Sequence, residues 1–248
     1  MDRVLNFGHR GASHDAPQNT LAAFELAAQY GADGIELDVH LTRDRVPVVI
    51  HDEHVDTTTD GTGLVREKTL AEIKELDAGS YFDPRFRGER IPTLAEVFEA
   101  VGQRLLINVE LKGMGRQADG LEAIVADLIA RHSLGERVII SSFNPIRLRR
   151  MRRIAPRLPL GFLHDWETPP AQRWLAAVLM VGLPVEADHP HHVRVTPSYV
   201  AQARRRGQRV NVWVVNEPER MRELRDMGVD LIMSDRPDVL RAVLHGER

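Results

Sequence analysis

Gly34-Ile35-Glu36-Leu37-Asp38-Val39 alternates aliphatic with acidic side chains, and Ile107-Asn108-Val109-Glu110-Leu111-Lys112 alternates aliphatic with polar ones. In an extended strand, residues i and i+2 share a face. Glu36 and Asp38 therefore point one way, Glu110 and Lys112 point one way, and the aliphatics point the other. A strand of an open doubly wound sheet is covered on both faces and has no place for such a polar row. A strand of a closed parallel barrel has an inner face whose C-terminal end opens to solvent. Carboxylates buried there without partners would cost several kcal/mol each, so a positive centre belongs among them, and a divalent metal ion meets the need. His9, in Gly8-His9-Arg10-Gly11, and His51, in Val49-Ile50-His51-Asp52, flank the first acidic pair in sequence. Carboxylates with two imidazoles suggest metal-assisted acid–base chemistry.

Outward from these strands, short aliphatic runs alternate with amphipathic stretches. Extended runs are expected at 4–9, 34–39, 105–112, 138–142, 158–163, 184–187, 210–215 and 231–234, and helices at 20–30, 94–101, 121–132, 145–154, 170–178, 197–206, 217–227 and 237–244. A further extended run at 46–51 is either a hairpin arm or part of the barrel wall. Setting that run aside, about eight strand–helix units in 248 residues match a (β/α)₈ TIM barrel, with a doubly wound sheet as the competitor. Residues 52–92 break the rhythm with turn-rich text, a short helix near 70–76, and aromatics among mixed charges. Inside a single domain spanning 1–248, an insertion of that length after the second strand region is expected to be a lid or binding element. Gly61-Thr62-Gly63 reads as a turn, since no strand and helix flank it as in a phosphate loop.

Composition narrows the function classes. The net charge of −3 and the lack of a basic stretch interleaved with aromatics argue against nucleic acid. The absence of cysteine removes disulfides, thiolate ligands and a thiol nucleophile. Residues 1–7 enter a strand without the apolar run of a secretory signal, and no apolar stretch approaches the ~20 residues that span a bilayer. The expectation is a cytoplasmic protein without stable membrane insertion. Self-association is left open. Lysine occurs only at Lys68, Lys74 and Lys112, so Lys112 on a polar strand face stands out.

The motifs taken together resemble the glycerophosphodiester phosphodiesterase family. They are Gly8-His9-Arg10-Gly11, Pro17-Gln18-Asn19-Thr20, Glu36-Leu37-Asp38-Val39, Pro47-Val48-Val49-Ile50-His51-Asp52, Asp77-Ala78-Gly79, Ile91-Pro92-Thr93-Leu94, Glu110-Leu111-Lys112, Val212-Trp213-Val214-Val215-Asn216 and Ser234-Asp235-Arg236-Pro237, in that order along the whole chain. The resemblance implies a (β/α)₈ barrel with an insertion, metal ligands at Glu36, Asp38 and Glu110, and catalytic histidines at His9 and His51. It also implies hydrolysis of small glycerophosphodiesters, such as glycerophosphocholine or glycerophosphoethanolamine, to sn-glycerol 3-phosphate and an alcohol. One departure is Gln18, where the family's segment usually carries glutamate.

An all-oxygen ligand set selects one hard cation, Mg²⁺ or Ca²⁺, over zinc. Arg10, with its planar fork, and Lys112, as a point charge, are candidate phosphate contacts. Trp213 shares a face with Asn211 and is a candidate wall of the substrate pocket. The division of acid and base work between the histidines stays open, as does attack by water or by a substrate hydroxyl. Each residue also has a plainer role: packed histidines, carboxylates paired with arginine, Lys112 neutralising Glu110, Trp213 in the core. A rival set at a strand end is Glu186, Asp188, His189, His191 and His192, and His14, His40, His54 and His164 are rim candidates. Two other functions share the pattern: a lysophospholipase D-like activity, for which a long apolar groove would be the mark, and a non-catalytic glycerophosphodiester-binding protein. The mostly polar 52–92 segment favours deacylated headgroups.

Overall fold

In the computed structural model, which describes residues 3–115, 118–165 and 170–246, the chain begins with β1 (Leu5–His9), α1 (Leu21–Gln29), β2 (Gly34–Leu41) and β3 (Pro47–Val49). It continues through α2 (Leu70–Lys74), α3 (Leu94–Val101), β4 (Leu106–Leu111), α4 (Leu121–Arg131), β5 (Val138–Ser142), α5 (Pro145–Ile154), β6 (Leu160–His164) and α6 (Pro170–Met180). The last elements are β7 (Ala187–Pro190), α7 (Pro197–Arg205), β8 (Arg209–Val212), α8 (Pro218–Met227), β9 (Leu231–Ser234) and α9 (Pro237–His245). β1 pairs in parallel with both β2 and β9, and the series β2, β4, β5, β6, β7, β8, β9 is parallel throughout. Eight strands therefore close on themselves with helices between them, a TIM barrel. No described helix is long and apolar enough to cross a membrane.

The alternation read in β2 and β4 sorts as a barrel requires. Ile35, Leu37, Val39, Ile107, Val109 and Leu111 are buried against Phe24 of α1, Val97 and Phe98 of α3, and Val125 of α4. Full burial of each such side chain stabilises by about 1.5–3 kcal/mol. Facing inward, Phe7 packs with Leu231 and Met233 and with the partly buried Leu5, Leu106 and Trp213. Gly34 makes room for that layer, since a Cβ there would lie 2.4 Å from Phe7 Cζ and 2.5 Å from the Leu106 carbonyl oxygen. Above it the register sets His9 beside Glu36, Glu36 beside Asn108, and Asp38 beside Glu110.

Local chemistry marks many boundaries. Thr20 caps α1, Thr69 and Thr93 form capping boxes with Glu72 and Glu96, and proline opens α5, α7, α8 and α9. The strand expected at 184–187 instead runs Ala187–Pro190. The polar residues of this span are both satisfied: Asp188 faces outward to His164 and Tyr199, and His189 faces inward to Asn211. β3 is the hairpin arm, antiparallel to β2 and outside the barrel wall. The segment after it has its own small core of Val55, Val65, Ile73, Ala78 and Ile91, joined to Val48 and Ile50.

Candidate active site

Glu36, Asp38 and Glu110 converge because two neighbouring barrel strands run in register. Each offers an oxygen within 4.8 Å of the others, and among the described residues no other group of three or more His, Asp or Glu side chains is so placed. All three are buried. Lys112 Nζ lies 2.9 Å from Glu110 Oε1 and 3.3 Å from Asp38 Oδ1. Arg10 Nε lies 3.4 Å from Asp38 Oδ2, while the Arg10 backbone N–H donates to Glu36 Oε2 at 3.2 Å. Asn19 donates its side-chain N–H to Asp38 Oδ2 at 2.9 Å. Arg10 and Asn19 both adopt positive φ, 55° and 59°, which turns the chain back over the end of β1.

These cations do not neutralise the cluster evenly. Burial pushes Asp38 up, but Lys112 and Arg10 outweigh it and hold the carboxyl well below its ordinary range. Glu36 is pushed well above its ordinary value by burial and then by the charges of Asp38 and Glu110. Glu110 is pushed up to about 7, again by burial first and with Asp38 adding to it, against the pull of Lys112. Two carboxylates that resist ionisation beside a third that is ionised mark a site short of positive charge. A hard divalent cation fits that oxygen donor set.

Two imidazoles border the cluster. His9 ends β1, with Nδ1 2.7 Å from Asp235 Oδ1 and Nε2 3.9 Å from Glu36 Oε2. Asp235 also accepts from Ser13 Oγ at 2.9 Å and from Asn216 Nδ2 at 2.6 Å. These bonds outweigh burial and hold Asp235 at about 2. His51 arrives by the β3 arm, where the Ile50 N–H donates to the Asp38 carbonyl at 3.0 Å. His51 Nδ1 meets Asp52 Oδ1 at 2.6 Å, and its carbonyl accepts from His40 Nε2 at 3.0 Å. Burial lowers the His51 pKa, with Lys112 and Arg10 adding to the effect and Asp38 opposing it. The geometry thus leaves each Nε2 available while a carboxylate holds Nδ1.

The other sequence candidates scatter. Trp213 packs inside the barrel, donating Nε1–H to the His189 carbonyl at 2.8 Å and meeting Phe143 edge-on at 5.5 Å. Gln18 accepts from Arg10 NH1 at 2.5 Å and is hydrogen-bonded by Tyr81 of the 52–92 segment. Glu186 turns to Arg152 at 2.7 Å, away from Asp188, so the rival acidic set does not assemble. His189 is fully buried, and burial pushes its pKa down to about 3, so it stays neutral with Nε2 accepting from Asn211 at 3.0 Å. Asp235 and Asp52 escaped assignment from sequence. Asp52 follows His51 directly, a usable signal, but the Asp235–His9 contact joins opposite ends of the chain.

A model of the glycerophosphoryl diester phosphodiesterase family matches residues 9–239. A glycerophosphodiester phosphodiesterase of Caldanaerobacter subterraneus is 43% identical over 239 residues, covering 96% of each chain. A Bacillus subtilis protein of the same name is 33% identical over 258 residues, covering 99% of this chain and 88% of the relative. Among solved structures, an Oleispira antarctica phosphodiesterase in complex with the product sn-glycerol-3-phosphate superimposes with a TM-score of 0.84 at 31% identity, over 98% of this chain and 97% of that one.

Proposed function

The chain belongs to the glycerophosphoryl diester phosphodiesterase family and is a phosphoric diester hydrolase; from that premise we propose that it cleaves small glycerophosphodiesters, such as glycerophosphocholine, to sn-glycerol 3-phosphate and an alcohol, with one Mg²⁺ or Ca²⁺ and paired histidines. The observation that carries the proposal is the buried acidic triad with two displaced carboxylate pKa values, bordered by two carboxylate-held imidazoles. Glu36, Asp38 and Glu110 would hold the cation, which when bound supplies charge neutralisation at the phosphoryl oxygens. Arg10 and Lys112 sit where they can pair with the anionic diester once the carboxylates engage the metal. One histidine Nε2 accepts the proton of the attacking oxygen, and the other returns a proton to the departing alkoxide. Asp235 and Asp52 hold Nδ1 of the two rings, so the base would accept on a free Nε2 while the acid would carry its transferable proton on Nε2. The product seen in the Oleispira antarctica relative supports glycerol 3-phosphate as the product here.

Exhaustive chelation followed by titration with Mg²⁺, Ca²⁺ and Zn²⁺ tests the reading. Hydrolysis of glycerophosphocholine should disappear in chelator and return with one of the two hard cations. His9→Ala and His51→Ala should each fold as wild type and lose at least ~10²-fold in kcat. Full turnover by metal-stripped protein would reject the cation's role, and near-normal turnover by either histidine variant would reject the paired imidazoles.

A further inference from the structure

His40 stands two residues beyond Asp38 on the inward row of β2. It is partly buried, and with His51 and Lys112 it lines a cavity of about 1160 Å³ that opens from the active site. The acid–base chemistry proposed above gives it no part. Its ring nevertheless makes one contact that bears on that chemistry: Nε2 lies 3.0 Å from the His51 carbonyl oxygen. A carbonyl only accepts, so Nε2 carries the proton and donates it.

The two imidazoles reach the triad by different routes. His9 is a barrel-strand residue, set beside Glu36 by the parallel register of β1 and β2. His51 lies past the end of β3, whose ladder with β2 runs only from the Leu41–Pro47 pair to the Val39–Val49 pair. Beyond that ladder, two hydrogen bonds tie the arm back to β2. The Ile50 N–H donates to the Asp38 carbonyl at 3.0 Å, and His40 Nε2–H donates to the His51 carbonyl. The His51 ring is held differently. Asp52 meets its Nδ1 at 2.6 Å, and Thr57 in turn holds Asp52. Both belong to the segment that carries His51, so they orient the ring relative to its own backbone. His40 orients that backbone relative to the strand bearing Glu36 and Asp38. We propose that His40 is a positioning residue for the hydrolysis: its Nε2–H adds one side-chain rung to the β2–β3 ladder and holds the His51 main chain at the height of the acidic triad. A shift of about 1 Å at a reacting group can cost ~10²-fold in rate, so the rung acts on turnover. This role rests on the reading of His51 as one of the paired imidazoles.

The test is a double-mutant cycle on glycerophosphocholine hydrolysis by the metal-loaded enzyme, using His40→Leu, His40→Gln, His51→Ala and the H40L/H51A pair. H40L lacks the donor and should lower kcat roughly 10–100-fold with KM nearly unchanged. H40Q offers an amide N–H at nearly the same reach and should recover most of that loss. Because His40 acts through His51, H40L/H51A should turn over no more slowly than H51A alone. Binding of sn-glycerol 3-phosphate to H40L, read by calorimetry, should match wild type. If H40L does not fold, His40→Phe, which keeps a ring and lacks the N–H, takes its place in the cycle. Near-normal kcat in H40L beside an inactive H51A overturns this proposal alone. So does an H40Q no faster than H40L, which would make the ring a packing element. A loss in H40L that multiplies with that of H51A, or product binding weakened in step with kcat, overturns it as well. Near-normal turnover by H51A would overturn the paired-imidazole reading, and this role with it.

Discussion

At the residue scale, the proposed acid–base roles of His9 and His51 turn on the contacts each ring makes through Nδ1. His9 leans on a carboxylate fixed from three directions, by its own ring, Ser13 and Asn216. His51 leans on Asp52, whose side chain is 40% exposed. Water can replace the second partner more readily than the first. Asp235→Asn should therefore lower kcat roughly 10–100-fold with KM changed little, because an amide can present either a donor or an acceptor to Nδ1 and the ring orientation is lost. Asp52→Asn should cost less, and Asp235→Glu should recover part of the loss. Steady-state kinetics on the three variants check the order, and equal losses in D235N and D52N would show that fixation of Asp235 is irrelevant. Asp235 also illustrates what a linear reading misses. It was visible inside Ser234-Asp235-Arg236-Pro237, but nothing local says that β9 closes against β1 and delivers its carboxylate to His9. Glu36, Asp38 and Glu110, by contrast, were legible because strand alternation places them without any knowledge of tertiary contacts.

At the element scale, the loop that follows β4 is pinned by the start of α5. Asn144 caps the helix and donates Nδ2–H to the carbonyls of Gly113 and Gly115 at 3.1 Å each. Arg147 donates Nε–H to the Gly113 carbonyl at 3.2 Å and is itself held by Asp119 and the buried Glu122. The clamp sits one residue beyond Lys112. Asn144→Ala should destabilise the protein by about 1–2 kcal/mol through the lost cap and should raise KM severalfold by loosening Lys112. Denaturant unfolding and initial rates read the two effects separately, and a stability loss with unchanged KM would detach the clamp from the site. Inside the barrel, Gly34→Ala should cost about 1–3 kcal/mol, because its Cβ would collide with Phe7 and the backbone of Leu106; a chemical melt matching wild type would refute that packing. Elements with local punctuation, such as α3 with its Thr93–Glu96 box, fall where the sequence places them. β7 did not, because its inward His189 and outward Asp188 are paired only with distant residues.

At the scale of the whole molecule, barrel closure gathers more negative charge at one end than the protein alone can balance, and this makes stability depend on cation and pH together. Glu36 and Glu110 have folded-state pKa values above their ordinary ones, Glu110 reaching about 7. Between the unfolded value and the folded one, the native state binds more protons, so metal-free stability falls as pH rises through that window. For Glu110 the window is roughly pH 4.5 to 7. Asp235 behaves oppositely: its folded value near 2 stabilises above the unfolded range and is lost as pH falls below about 4. The two windows do not overlap, so they can be read apart. On the proposed reading a bound cation would take the place of the proton on the buried glutamates, so its stabilising effect should grow as pH rises through the Glu110 window. At a cation concentration ~100-fold above Kd, the expected gain is about 5–10 °C in Tm at pH 8, shrinking toward pH 5. Thermal melts of stripped protein with and without Mg²⁺ or Ca²⁺ across that range measure it. A gain independent of pH would mean that the cation binds without displacing protons from the triad, and no gain at any pH would mean that Lys112 and Arg10 balance the carboxylates unaided.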